Sequence, residues 1–188
     1  MGRPKALLRL GPQTFLERLL WLLVPSCDGV WAVLGYQAQE VLKGIRAPAG
    51  AKFVTNRQPQ LGQFSSLRCG LGSIGEGYEG VIFTPVDYPL IRQETVSAIA
   101  SAFLAVPARE SIVIPRHNGK RGHPVCIGEE VRKEALEMPD DAQARELIHR
   151  HESQIQYVDV SDPGILTDID TLEQYQAALA GWDKEGGR

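Results

Sequence analysis

The stretch Val81–Leu90 reads V-I-F-T-P-V-D-Y-P-L and sets a carboxylate, Asp87, two residues beyond a proline. Val81, Ile82 and Phe83 form a short apolar run with β-branched and aromatic content, the pattern of a strand buried on both faces. Pro85 ends that strand, because proline cannot donate to a central ladder, and Pro89 stiffens the exit. A carboxylate held at the carboxyl end of a buried strand lies where open α/β sheets bind their ligands. Its oxygens suit Mg2+, a hard cation that bridges to substrate phosphates. An aspartate here can also do no more than shape the turn by bonding to its own backbone, and the segment alone leaves both readings open.

Five further segments sit after strands or at helix starts: M-G-R-P-K at 1–5, Asn56, G-Q-F-S-S-L at 62–67, R-G-H-P-V at 121–125 and D-I-D-T at 168–171. Each has a functional and a plain reading. Lys5 can offset phosphate charge or be a solvated surface lysine. Gly62 permits an unusual backbone, and Ser65 or Ser66 can cap a helix that carries Leu67 and Leu71 inward. The free amides of such a helix start can hold a phosphate. His123 can face a ligand or pack at a strand start. Asp168 or Asp170 can approach a metal or cap the last helix.

The elements that must position these groups follow from periodicity and caps. Thr14 and Glu17 are spaced as a capping box and open a helix with Phe15, Leu16, Leu19, Leu20 and Leu23 on one side. Strands are predicted at 30–34, 53–54, 81–83, 112–114, 124–127 and 155–160, with 112–114 and 124–127 an antiparallel pair across a glycine-rich, basic turn. Helices are predicted at 37–42, 94–104, 129–136, 142–149 and 172–179, the last opened by a second capping box, Thr171 with Gln174. Alternation of strand and helix predicts one three-layer α/β domain over residues 1–181 with a mostly parallel sheet, followed by a polar tail at 182–188.

Composition narrows the function classes. The chain has 188 residues, 43% hydrophobic and 23% charged, with a formal charge of −3. That length suits a single domain with a sizeable core. The charge leaves no electrostatic footprint for nucleic acid or an anionic membrane, and no apolar run reaches the ~18 residues of a membrane span. Cys27, Cys69 and Cys126 are odd in number and widely spaced, which fits reduced thiols in a cytoplasmic protein.

Taken in order, the six segments resemble the MobA-like nucleotidyltransferase family over nearly the whole chain, and within it the molybdenum cofactor cytidylyltransferases. The resemblance implies a Rossmann-like fold of the nucleotide-diphospho-sugar transferase type. It implies a Mg2+-dependent transfer of CMP from CTP to a molybdopterin-type acceptor, with release of pyrophosphate. It further implies a molybdenum hydroxylase or its maturation proteins as partners. Lys5 matches the lysine that contacts NTP phosphates, and Asp87 the metal-binding aspartate. Asp170 lies where a second acid approaches the metal, with Asp168 the alternative. Gly62, Ser65 and Ser66 match a segment on the nucleotide side; Arg121, Gly122 and His123 match one facing the acceptor. Two other readings are a non-catalytic nucleotide- or partner-binding protein of this fold and a sugar-phosphate nucleotidyltransferase. In the resembled family a strand and a glycine-rich loop, L-A-A-G-x-S-x-R, run into M-G-x-x-K, and the 188 residues open at that Met. The expectation is that this numbering starts inside the natural fold, at an internal methionine, and that the lane of this first strand, between 30–34 and 81–83, does not survive unfilled; otherwise it closes by strand rearrangement, by pairing with another chain, or by Lys5–Leu8 sliding into it.

Overall fold

The computed structural model describes residues 3–106, 111–139 and 141–184. The first two residues of the opening M-G-R-P-K stretch and the last four of the tail lie outside them. A 3-10 turn at Lys5–Leu7 leads to a two-residue hairpin, β1 (Arg9–Leu10) and β2 (Gln13–Thr14), and then to α1 (Phe15–Leu23). The Thr14 side chain accepts from the Glu17 amide and Glu17 accepts from the Thr14 amide, so the predicted capping box starts the helix. Next come β3 (Trp31–Leu34), α2 (Ala38–Gly44), β4 (Lys52–Thr55), α3 (Gln63–Ser73), β5 (Gly80–Phe83) and α4 (Gln93–Leu104). The second half holds β6 (Ile112–His117), β7 (Lys120–Arg121), β8 (Val125–Gly128), α5 (Glu129–Glu137), α6 (Ala144–Arg150), β9 (Ile155–Asp159) and α7 (Leu172–Lys184).

The pleat of the second-half strands sorts the core into two layers of helices around the sheet. Ile112 and Ile114 of β6 and Val125 and Ile127 of β8 point to α3, α5 and α6, where Leu71, Val131 and Leu147 meet them. Val113 and Cys126, one residue out of phase, point the other way to Ile99 and Phe103 of α4. The sheet is mixed: β8 lies antiparallel between β5 and β6, while β6 pairs in parallel with β9. The antiparallel share comes from the β6–β8 connection, which is short enough to return alongside.

Strands β3 and β4 pair in parallel as a separate two-stranded sheet. Among the described residues β3 shares no hydrogen bond with β5. Between the two edges runs a cleft of about 780 Å³, lined by Leu16, Leu20, Ala32, Phe64, Leu71 and Val81 among others. The lane expected between 30–34 and 81–83 is therefore open. Lys5–Leu7 do not enter it; they form their 3-10 turn beside α2, where Leu7 packs on Gly44. The last helix runs past its expected end at 179 to Lys184, because Trp182 has a seat: it joins Leu10, Phe15 and Ile169 and lies under the Arg18 guanidinium, 4.3 Å from the ring centroid.

One buried acid ties the second half to the ligand edge. Asp162 is 3% exposed. Its carboxylate accepts from the Arg92 amide at 2.8 Å, the Thr95 hydroxyl at 2.7 Å and the Gly164 amide at 2.9 Å, fastening the start of α4 to the turn at Pro163–Leu166. Removing the carboxylate leaves two buried donors, the Thr95 hydroxyl and the Gly164 amide, and the part-buried Arg92 amide without this partner. Asp162→Ala should lower unfolding stability by about 3 kcal/mol in urea titration, whereas a loss under about 0.5 kcal/mol would mean that the turn is held by other contacts.

Candidate functional site

Strand β5 ends at Phe83, and Thr84–Pro85 turn the chain so that Asp87 stands at its carboxyl end. The turn is fixed by two backbone bonds: Tyr88 N–H to Pro85 C=O at 3.4 Å, and Ile169 N–H to Asp87 C=O at 2.8 Å. The second bond also delivers D-I-D-T to the same place. Gln174 Oε1 accepts from the Asp170 and Thr171 amides at 2.8 Å each, and Thr171 Oγ1 accepts from the Gln174 amide at 3.2 Å, so this cap of α7 holds Asp170 at the helix start. Lys5 completes the group. Its Nζ donates to Asp170 Oδ1 and stands 3.9 Å from Asp87 Oδ2. The structure thus brings together Lys5, Asp87 and Asp170, three residues up to 165 positions apart.

The electrostatics of the two acids differ. Burial pushes the Asp87 carboxyl above the usual carboxylate range, against the pull of Lys5, and the neighbouring charges of Asp170 and Asp168 add to the rise. Asp170 is open to solvent and held below its usual range, chiefly by the hydrogen bond from Lys5. Asp87 Oδ1 is buried and has no hydrogen-bond partner. An acceptor left bare in a half-dry site has a large affinity for a cation. No group of three His, Cys, Asp or Glu side chains that could hold a metal forms among the described residues. One or two carboxylates fit Mg2+, which keeps waters and takes substrate phosphates as its other ligands.

His123 lines the same cleft as Asp87. Its amide donates to Ile165 C=O at 3.0 Å, and its ring packs on Tyr88 with centroids 4.7 Å apart and on Phe83 at 6.4 Å. Burial lowers its pKa to about 4, so the ring is neutral at pH 7, and its buried Nδ1 has no partner. Ser66 also opens onto this cleft. The expected serine cap of α3 is not formed: the helix starts at Gln63 with Gly62 as its cap at φ 91°, and Ser65 Oγ donates to Gly62 C=O at 2.7 Å. Asn56 gathers both hydroxyls, its Nδ2 donating to Ser65 Oγ at 2.9 Å and Ser66 Oγ at 3.1 Å. Arg121, by contrast, lines a second cavity, which shares His123 with the cleft. Sequence reasoning missed Tyr88 as the ring on which His123 packs. Its place directly after Asp87 was the available signal.

Residues 1–155 match the MobA-like NTP transferase domain. Among curated relatives, the chain is 32% identical over 122 residues to the bifunctional protein GlmU of Synechococcus elongatus, covering 64% of this chain and 26% of that protein. The chain therefore spans about a quarter of the length of that relative. It is 22% identical to the molybdenum cofactor cytidylyltransferase of Escherichia coli, covering 95% of this chain and 88% of that one. It is 29% identical to the nicotine blue oxidoreductase of Paenarthrobacter nicotinovorans, covering 95% and 90%. The Rv0371c homologue from Mycobacterium sp. strain JC1 superposes with a TM-score of 0.82 at 26% identity, covering 98% of this chain and 91% of that one. The manganese complex of Rv0371c from Mycobacterium tuberculosis gives 0.76 at 25%, covering 95% and 93%.

The neutral state of His123 has a measurable consequence. The unfolded chain protonates its histidine near pH 6.5 and the folded chain only near 4. The folded state therefore binds fewer protons across that window, and stability must fall as pH drops through it. The loss is at most about 3.5 kcal/mol, at about 1.4 kcal/mol per pH unit. His123→Phe keeps the ring contacts and should flatten this part of the pH dependence in urea unfolding at pH 7, 5.5 and 4.5; an unchanged slope would place the acid sensitivity elsewhere.

Proposed function

Because the chain belongs to the MobA-like NTP transferase family, we propose that it transfers a nucleotidyl group from a nucleoside triphosphate to an acceptor phosphate. The nucleotide we favour is CTP and the acceptor a molybdopterin-type cofactor, a choice supported by the E. coli cytidylyltransferase relative, which spans nearly the whole chain. The observation that carries the reading is Lys5 standing between Asp87 and Asp170, beside a buried carboxylate oxygen that nothing satisfies.

The reaction needs little covalent chemistry from the protein. An acceptor phosphate oxygen attacks the α-phosphorus, the bond to the β-phosphate bridging oxygen breaks, and pyrophosphate leaves with that electron pair. The negative charge must be offset and the attacking oxygen held in line. Asp87 and Asp170 would hold Mg2+, and such an ion supplies charge neutralisation at the phosphate oxygens when bound. The manganese-bound relative supports a divalent cation in this fold. Lys5 offers the ammonium that faces the triphosphate. The neutral ring of His123 offers a hydrogen bond and no charge. Ser66 and the first amides of α3 border the nucleotide side.

A redox reading is suggested by the nicotine blue oxidoreductase relative. The polar groups gathered at Asp87 are a lysine and carboxylates, which suit phosphate and cation chemistry better. The three cysteines are free, in keeping with a cytoplasmic site of action, and no helix among the described residues is long and apolar enough to cross a membrane. A molybdenum hydroxylase or its maturation proteins are the partners this reading entails.

Thermal unfolding with CTP, GTP, ATP and UTP, each with and without Mg2+ or Mn2+, tests the assignment. CTP with the divalent ion should stabilise most, by about 2.7 kcal/mol at 100 times its Kd. Asp87→Ala should keep the fold by circular dichroism and lose both the cation-dependent stabilisation and turnover, the latter by at least ~100-fold. Cation-independent nucleotide binding, or wild-type turnover by the variant, would overturn it. Since the Asp87 carboxyl protonates more readily than an ordinary one, cation affinity should begin to weaken at a higher pH than a normal aspartate would set.

A further inference from the structure

The acids at the ligand edge already hold a cation, and it belongs to the chain. Lys5 Nζ donates to Asp170 Oδ1 and stands 3.9 Å from Asp87 Oδ2. The fit is partial. Asp87 Oδ1 is buried and meets no donor. One ammonium beside two carboxylates leaves the group net negative, and the charge of Asp168 also reaches Asp87. A lysine ammonium is a compact point charge on a flexible stem. Here it satisfies one acid and only approaches the other.

The main chain of Lys5 is fixed while its side chain is not. Leu7 N–H donates to Pro4 C=O at 2.9 Å and Leu8 N–H to Lys5 C=O at 3.0 Å, which closes the 3-10 turn. Leu7 then anchors that turn on α2, so closely that a Cβ on Gly44 would fall 2.7 Å from Leu7 Cδ2. The Lys5 side chain is 35% exposed, and among the described residues its ammonium pairs with these two acids alone. The stem can therefore turn the ammonium off the acids with no movement of the backbone.

We propose that Lys5 is a resident counter-ion that gates the acid pair: while its ammonium lies on Asp170 the pair takes a divalent cation poorly, and the pair is released when the ammonium passes to the anionic oxygens of a triphosphate. The proposal rests on the nucleotidyl-transfer reading. Either ligand alone leaves a charge unanswered. A cation at the acids with the ammonium still in place sets like charges side by side, and a triphosphate without the cation faces two bare carboxylates. Arriving together, each ligand removes the obstacle to the other. Such coupling is reciprocal, so each raises the affinity for its companion by the same factor. The nucleotide-free chain thus keeps its own cation, and loading follows the substrate.

The test reads the two ligands separately. Mn2+ binding to the nucleotide-free, full-length chain is followed by the paramagnetic resonance signal of the free ion. Lys5→Met and Lys5→Gln remove the ammonium and touch neither acid, so both should bind Mn2+ about tenfold or more tightly than the unaltered chain. Lys5→Arg keeps the charge and should bind as weakly as the unaltered chain. Thermal unfolding with CTP in excess Mn2+ should give the opposite order, with apparent CTP affinity lower by about tenfold or more in the two neutral variants. A residue that merely supported the fold would lower both affinities, whereas exchange tightens the cation and loosens the nucleotide in one substitution. Mn2+ affinity unchanged or lower in both neutral variants would overturn the gate and leave the transfer reading, in which Lys5 only faces the triphosphate. Absence of CTP binding in the unaltered chain, with tighter Mn2+ binding in the neutral variants, would instead overturn the transfer reading and leave Lys5 as the competitor for the acid pair.

Discussion

Two carboxylates brought together at a half-dry sheet edge need a cation between them, and much of this molecule is arranged around that need. Asp87 comes from the end of β5 and Asp170 from the start of α7. Left alone they would repel, and the burial of Asp87 would raise the cost further. Lys5 meets both. A lysine with one-third of its side chain exposed is a replaceable partner, because its ammonium can move into solvent at little cost. In the resting site one ammonium thus offsets part of the charge of two carboxylates and leaves the group net negative.

Much of the geometry is supplied by backbone bonds. Ile169 N–H to Asp87 C=O, His123 N–H to Ile165 C=O and Gly122 N–H to Pro115 C=O lace three loops together at one edge. Asp162 anchors the turn in the middle from below, through three donors. Backbone bonds of this kind fix positions independently of rotamer choice, which suits a site where in-line geometry decides rate.

Much of this was legible in the residues. The apolar runs gave the strands, and the two capping boxes, Thr14 with Glu17 and Thr171 with Gln174, marked helix starts that the structure keeps. Both signals are local, so a single sequence carries them. The P-V-D-Y-P turn pointed to Asp87 because two prolines leave an aspartate few conformations. What failed to show was relational. Ser65 and Ser66 were expected to cap α3, but Asn56 claims their hydroxyls from across a loop. Asp162 looks like any turn aspartate until Arg92 and Thr95 arrive from another element. Arg145 carries no signature at all, since an arginine on a helix face is ordinary and only the packing of α6 gives it a cavity to face.

The two glycines within that lacing bear on how such a protein can diversify. A Cβ on Gly122 would fall 2.1 Å from Ile165 O, and one on Gly164 would fall 2.2 Å from Leu90 O. In both cases the obstacle is a carbonyl, which has no alternative rotamer, so any larger residue must displace the edge itself. Lineages descending from this chain can therefore drift little at those positions without dismantling the catalytic frame. Inheritance is rigid where backbone meets backbone at this edge.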